Sequence, residues 1–193
     1  MIPQREDMIT FALHLEKIGD ERGWDATPAL GIALADGDEL ASTPLPIQPA
    51  EIAEGGDVVG ALLRIANALM KTGLAARRTR HNQKSADALA GVWFVSEGWM
   101  TLKPEEQREG QRISQMADRV EIRQCTLVDC GGRLYTVLRI RGEEPDVAVV
   151  DPDQSELRAQ GRVPDALRRM LIAFGAGMSD EAIDMEKLGT VGA

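Results

Sequence analysis

Leu89-Ala90-Gly91-Val92-Trp93-Phe94-Val95-Ser96-Glu97-Gly98-Trp99-Met100 is an apolar run, and two further strand-like runs, 119–128 and 134–141, follow it and meet at Gly131-Gly132. Consecutive strands with short connections pair antiparallel, so this half of the chain predicts the centre of an antiparallel sheet. Alternation along the first run places Trp93, Val95, Glu97 and Trp99 on one face and Phe94, Ser96, Gly98 and Met100 on the other. Gly131-Gly132 permits the positive φ values of a two-residue turn. Such a turn predicts a register in which Cys125 faces Leu138, Leu127 faces Thr136 and Val128 faces Tyr135. In that register Cys125, Leu127, Leu134, Leu138 and Ile140 share one face, and Ile122, Val128, Tyr135 and Val137 the other. A sheet covered on one side alternates more cleanly than this. Both faces therefore call for cover, either from another chain or from the 101–117 segment or the proline-rich loop of this one.

Working outward, residues 5–22 read as a helix, with Met8, Phe11, Leu15 and Ile18 on one face and Gly19 and Gly23 marking its end. Pro28 precedes a short strand, 30–34, closed by Asp36-Gly37. Pro44, Pro46, Pro49 and Gly55-Gly56 make 41–56 a surface loop. Asp57 caps a second helix over 58–72, whose buried stripe is Val59, Leu62, Leu63, Ala66, Leu69 and Met70. A charged connection, 101–117, joins the central strands, and 147–150 adds a short edge strand between Pro145 and Pro152. A last helix, 165–174, has Pro164 in its first turn. The order is α-β-α-β-β-β-(β)-α. The expected fold is α+β: an antiparallel sheet of four to five strands with helices mainly on one face, in a single domain over 1–174, followed by an acidic tail over 175–193.

At 193 residues the chain fits one domain, and an apolar fraction of 44% argues against wholesale disorder. No apolar run approaches the ~18 residues that span a bilayer. Met1 to Asp7 is mixed and acidic, without a basic region leading into an apolar stretch. These features predict a soluble, cytoplasmic protein that avoids membranes. A net charge of −9 opposes nonspecific binding to nucleic acid. The two cysteines, Cys125 and Cys130, read as reduced thiols, and without an adjacent histidine they make a poor zinc site. Asp151, Asp153 and Glu156 lack the glycine and the closing glutamate of a calcium loop. No metal set and no cofactor is predicted, and no Ser-His-Asp, Cys-His or phosphate-loop motif is present in the sequence.

Three groups of residues carry functional expectations. Trp93, Trp99 and Tyr135 are candidates for an aromatic contact surface, with a core role as the plainer reading. Glu97, Asp118, Arg119 and Glu121 form a charged cluster if the return strand brings them together; it would suit acid–base work or a divalent cation, or simply close a sheet end with ion pairs. Arg77, Arg78, Arg80 and Lys84, beside His81, make a basic segment suited to phosphate or an acidic surface. No aromatic residue is interleaved there, which argues against a single-strand nucleic-acid platform.

Gly23-Trp24-Asp25-Ala26-Thr27-Pro28-Ala29-Leu30 resembles a segment of small actinobacterial proteins. The run 92–100 followed by Asp118-Arg119-Val120-Glu121 and a Gly-tipped hairpin resembles bacterial and phage proteins. The resemblance covers about a third of the chain, implies an actinobacterial or actinobacteriophage setting, and carries no known activity. The expectation is thus a small binding or accessory protein that works through protein–protein contact and self-associates as a homo-oligomer. The alternatives are an enzyme or small-ligand binder at the Glu97 cluster, and a phosphate or nucleic-acid contact through 77–84.

Overall fold

The computed structural model describes residues 3–36, 39–45, 58–72, 89–107, 110–152 and 161–175. Its framework is one antiparallel sheet of six strands: β1 (Ala29–Asp36), β2 (Glu39–Leu45), β3 (Leu89–Thr101), β4 (Arg119–Asp129), β5 (Leu134–Ile140) and β6 (Asp146–Val150). Their spatial order is β2-β1-β3-β4-β5-β6. Three α-helices among the described residues pack on it: α1 (Arg5–Glu21), α2 (Val58–Thr72) and α3 (Arg162–Gly175). The class is α+β, as the alternation predicts, with one strand more than expected.

The additional strand is β2, which occupies residues read as loop from their prolines. It pairs along β1 with Pro44 opposite Gly31 and Leu45 opposite Leu30. Proline lacks a ladder donor, and an edge strand is where a sheet tolerates that loss. Composition alone thus misread 41–45, because the proline signal marks either a loop or an edge.

The hairpin register is also one residue away from expectation. Cys125 pairs with Val137, Leu127 with Tyr135 and Val128 with Leu134. The connection is a three-residue loop: the Gly132 amide donates to the Asp129 carbonyl, the Asp129 amide donates to the Arg133 carbonyl, and Gly132 alone of the two glycines has positive φ, +81°. That is a turn followed by a single left-handed residue, the second common hairpin closure, rather than a two-residue turn. A one-residue slip exchanges the faces of a whole strand. Tyr135 and Val137 therefore join Cys125 and Leu127, while Leu134 joins Val128.

Each face of the sheet has its own core. Met8, Phe11, Ala12 and Leu15 of α1 pack on Trp93, Val95, Cys125, Leu127, Tyr135 and Val137. On the opposite face Leu62 and Ala66 of α2, with Ala166, Leu167, Met170 and Leu171 of α3, pack on Leu30, Val92, Phe94, Val128 and Leu134. Of the described α-helices, two lie on one face and one on the other. Among the described residues the two-sided apolar pattern is thus covered by helices, with Met116 of the 101–117 segment also buried, while 46–56 of the proline-rich loop lie outside the described residues. Cys125 and Cys130 are free, buried and assigned to opposite cores.

Candidate functional site: a buried ion-pair network beside an apolar pocket

The α1 face continues into a charged layer. Glu97 is in step with Trp93 and Val95, Arg123 with Cys125 and Leu127, and Arg139 with Tyr135 and Val137, so all three point toward α1. Glu97 pairs directly with Arg123, and Arg123 with Arg139, across neighbouring strands. Helix α1 answers with Glu16, one turn beyond Ala12, and with Asp20. Arg123 is fully buried, and all three of its side-chain nitrogens are hydrogen-bonded. Nε and Nη2 donate to Glu97 Oε1 at 3.1 and 2.9 Å, Nη1 donates to Asp20 Oδ1 at 2.9 Å, and Nη2 donates to the Gly23 carbonyl at 2.7 Å. Glu16 Oε1 lies 3.6 Å from Nη1. Arg139 donates a two-pronged bond to Glu16, at 2.7 and 2.8 Å, and that bonding holds its guanidinium above the usual arginine pKa.

This network fixes the turn between α1 and β1. Gly23 and Asp25 reverse the chain with φ of +83° and +67°. Glu97 Oε2 accepts from the amides of Asp25 and Ala26 at 2.6 and 3.2 Å. Trp24 lies over the guanidinium groups of Arg123 and Arg141, 4.5 and 5.3 Å from its ring centre. Gly19 lets the helix pass close, since a Cβ there would sit 3.0 Å from Arg123 Cδ. Chemically the arrangement is a clamp: the donors of Arg123 and both oxygens of Glu97 are occupied by other parts of the chain.

Beside the clamp lies a pocket of about 110 Å³, bordered by Leu15 and Ile18 of α1, the turn residues Ala26–Pro28, Ser42 and Pro44 of β2, and Trp93 and Val95. The indole of Trp93 lies across Gly31, where a Cβ would come within 2.2 Å of Cζ2, and Nε1 donates to the Ile32 carbonyl at 3.3 Å.

The four members of the expected charged cluster go to different partners. Glu97 belongs to the clamp. Asp118 accepts from Thr101 Oγ1 at 2.6 Å and from the Lys103 amide at 3.1 Å, closing the base of the 101–117 excursion. The Thr101 bond leads in holding its carboxyl below the usual range. Arg119 stacks on Trp99, 4.9 Å from the ring centre, and Glu121 binds Arg141. The register explains the separation: Thr101 faces Arg119, Trp99 faces Glu121 and Glu97 faces Arg123. Of the aromatic candidates, Trp93 and Tyr135 are buried and cannot offer a contact surface, whereas Trp99 is 43% exposed. Arg77, Arg78, Arg80 and Lys84 lie outside the described residues. Among the described residues no group of three or more His, Cys, Asp or Glu is placed to hold a metal ion.

A second buried polar group closes the β4–β5 hairpin. Asp129 accepts from Tyr135 Oη at 2.9 Å and from the Arg133 amide at 2.9 Å, with Arg133 Nη1 at 3.4 Å. Burial pushes its carboxyl up, against the pull of these donors. Sequence reading missed Glu16, Asp20, Arg123, Arg139 and Asp129. For four of these residues a signal exists: each charge falls on a position that helical or strand periodicity assigns to the α1-side core.

Compared with known families, with curated proteins and with solved structures, the chain finds no match in any of the three. The fold and site define an α+β protein with a six-stranded antiparallel sheet, and no helix among the described residues is long and apolar enough to cross a membrane.

Proposed function

We propose that the protein works by contact with another protein chain, and that the contact centres on Trp99 at the far end of β3. The observation that carries this reading is exposure: Trp99 and Leu102, three residues apart, are 43% and 59% exposed. Both sheet faces have helical cover, so the core does not need either side chain. Trp and Arg are the residue types that dominate binding hot spots, and Arg119 lies against the Trp99 ring. A second copy of the chain is the first partner to test, since self-association needs no further component. Two free, buried cysteines suit a reducing, cytoplasmic setting.

Sedimentation velocity on the wild type and on Trp99→Asp, from micromolar to submillimolar concentration, tests the reading. Association of the wild type that Trp99→Asp abolishes, with far-ultraviolet circular dichroism unchanged, supports it. Association unaffected by the substitution removes Trp99 from the interface. If the wild type is a monomer, a photo-crosslinking residue at Leu102 in living cells decides. A defined adduct lost in Trp99→Asp supports a foreign partner, and no Trp99-dependent adduct overturns the reading.

A further inference from the structure

We propose that the pocket between the C-terminal end of α1 and the β1–β2 hairpin binds a short branched or aromatic monocarboxylate, with its hydrocarbon body against Trp93 and its carboxylate on Arg22. The fold opens this space: α1 packs on β3, β4 and β5, which leaves the β1–β2 flank of the same sheet face as a side wall. The volume, about 110 Å³, is roughly that of four water molecules at liquid density, enough for an isobutyl-sized group. The walls are apolar where such a group would sit: Leu15, Ile18, Pro28, Pro44, Trp93 and Val95. Small-molecule sites share this character, a concave apolar surface with a few polar groups that orient the ligand.

Charge assigns the head group. Arg123 and Glu97 border the pocket but are spent on each other, on Asp20 and on the Gly23–Ala26 backbone. Arg22 also lines the pocket, and it makes no side-chain hydrogen bond or ion pair with another described residue. Among the described residues it is the cation there left available to a ligand, and its position just past the end of α1 places it at the exposed rim. The site is separate from the Trp99 surface, so its occupancy and the protein contact proposed above stand or fall independently.

The test is a nuclear magnetic resonance titration of the full chain with isovalerate and, as the neutral isostere, 3-methylbutan-1-ol. Isovalerate should shift the Trp93 indole signal and the Ala26 and Ala29 amides, with a Kd of about a millimolar for so small a ligand. Arg22→Gln, at an exposed position, should weaken isovalerate about fivefold and leave the alcohol unchanged. Ala29→Leu, which fills the pocket from β1, should abolish both. No shift of the Trp93 indole at saturating isovalerate overturns the proposal, as does equal binding of acid and alcohol or an unchanged affinity in Arg22→Gln.

Discussion

Glu97 and Arg123 face each other on β3 and β4, and the two oxygens of Glu97 serve different parts of the chain: Oε1 holds the buried guanidinium, Oε2 the amides of Asp25 and Ala26. Strand pairing and the α1–β1 turn are thereby joined at one carboxylate. Removing one partner of a buried pair strands the other's charge, which costs about 3–5 kcal/mol. Arg123→Ala should therefore lower unfolding free energy by about that amount in urea denaturation, because Glu16 and Glu97 lose their shared cation. Replacing both residues with leucine should be less harmful than Arg123→Ala alone, since Glu97 no longer leaves a charge without its partner and Glu16 keeps Arg139. A double variant weaker than the single one would mean that the turn's bonds to Glu97, rather than the buried charge, dominate.

These same residues show how far the sequence could be read. The strand runs 89–100, 119–128 and 134–141 and the described α-helices are where periodicity puts them, because apolar alternation and helical stripes are local signals. Pairings are not local. Whether Glu97 meets Arg119, Glu121 or Arg123 depends on where a long connection returns, and the loop between Thr101 and Arg119 carries no mark of it. The hairpin was ambiguous for a smaller reason: Gly131-Gly132 fits a two-residue turn as well as a three-residue loop, and one residue of difference reassigns every β5 side chain. What the sequence did contain, unread, was a set of charges on core-phase positions. An arginine in step with Cys125 and Leu127 has to find buried carboxylates, and Glu16, in step with Ala12, is one of them.

Gly31 is the position where the α1-side core is least tolerant. A Cβ would stand 2.2 Å from Trp93 Cζ2 and 2.7 Å from the Thr43 carbonyl. The first obstacle is a rigid ring and the second is backbone, so neither can yield cheaply. Gly31→Ala should destabilise the protein by about 1–3 kcal/mol, the usual range for overpacking. The near-ultraviolet circular dichroism of the indoles should change as Trp93 is displaced. A stability equal to wild type would show that the ring can move away from β1.

Both thiols should be silent in the folded protein. Burial raises the Cys125 pKa well above that of a free thiol, and it pushes Cys130 up to about 12. The thiolate is the reactive form, so burial and protonation act together. Ellman's reagent at mildly alkaline pH should titrate neither cysteine under native conditions and both in denaturant. Fast native reaction of either would mean that its core opens locally.

Asp118 and Asp129 should give the pH profile of stability two components of opposite sign. The carboxyl of Asp118 is lowered, first by the Thr101 hydroxyl, so the folded state favours its ionised form. Its contribution is present above the unfolded value, ~3.9, and is lost as pH falls through the lower folded value. Asp129 is raised by burial, so the folded state binds its proton more tightly than the unfolded chain does. Its contribution is greatest below ~3.9 and is lost as pH rises through the raised folded value. Urea denaturation of wild type, Asp118→Asn and Asp129→Asn across acidic and neutral pH separates the two. The wild-type advantage over Asp118→Asn should shrink toward low pH, whereas wild-type stability relative to Asp129→Asn should fall as pH rises out of the acid range. Parallel curves for wild type and Asp129→Asn would mean that the donors from Tyr135 and Arg133 offset the burial of that carboxylate in full.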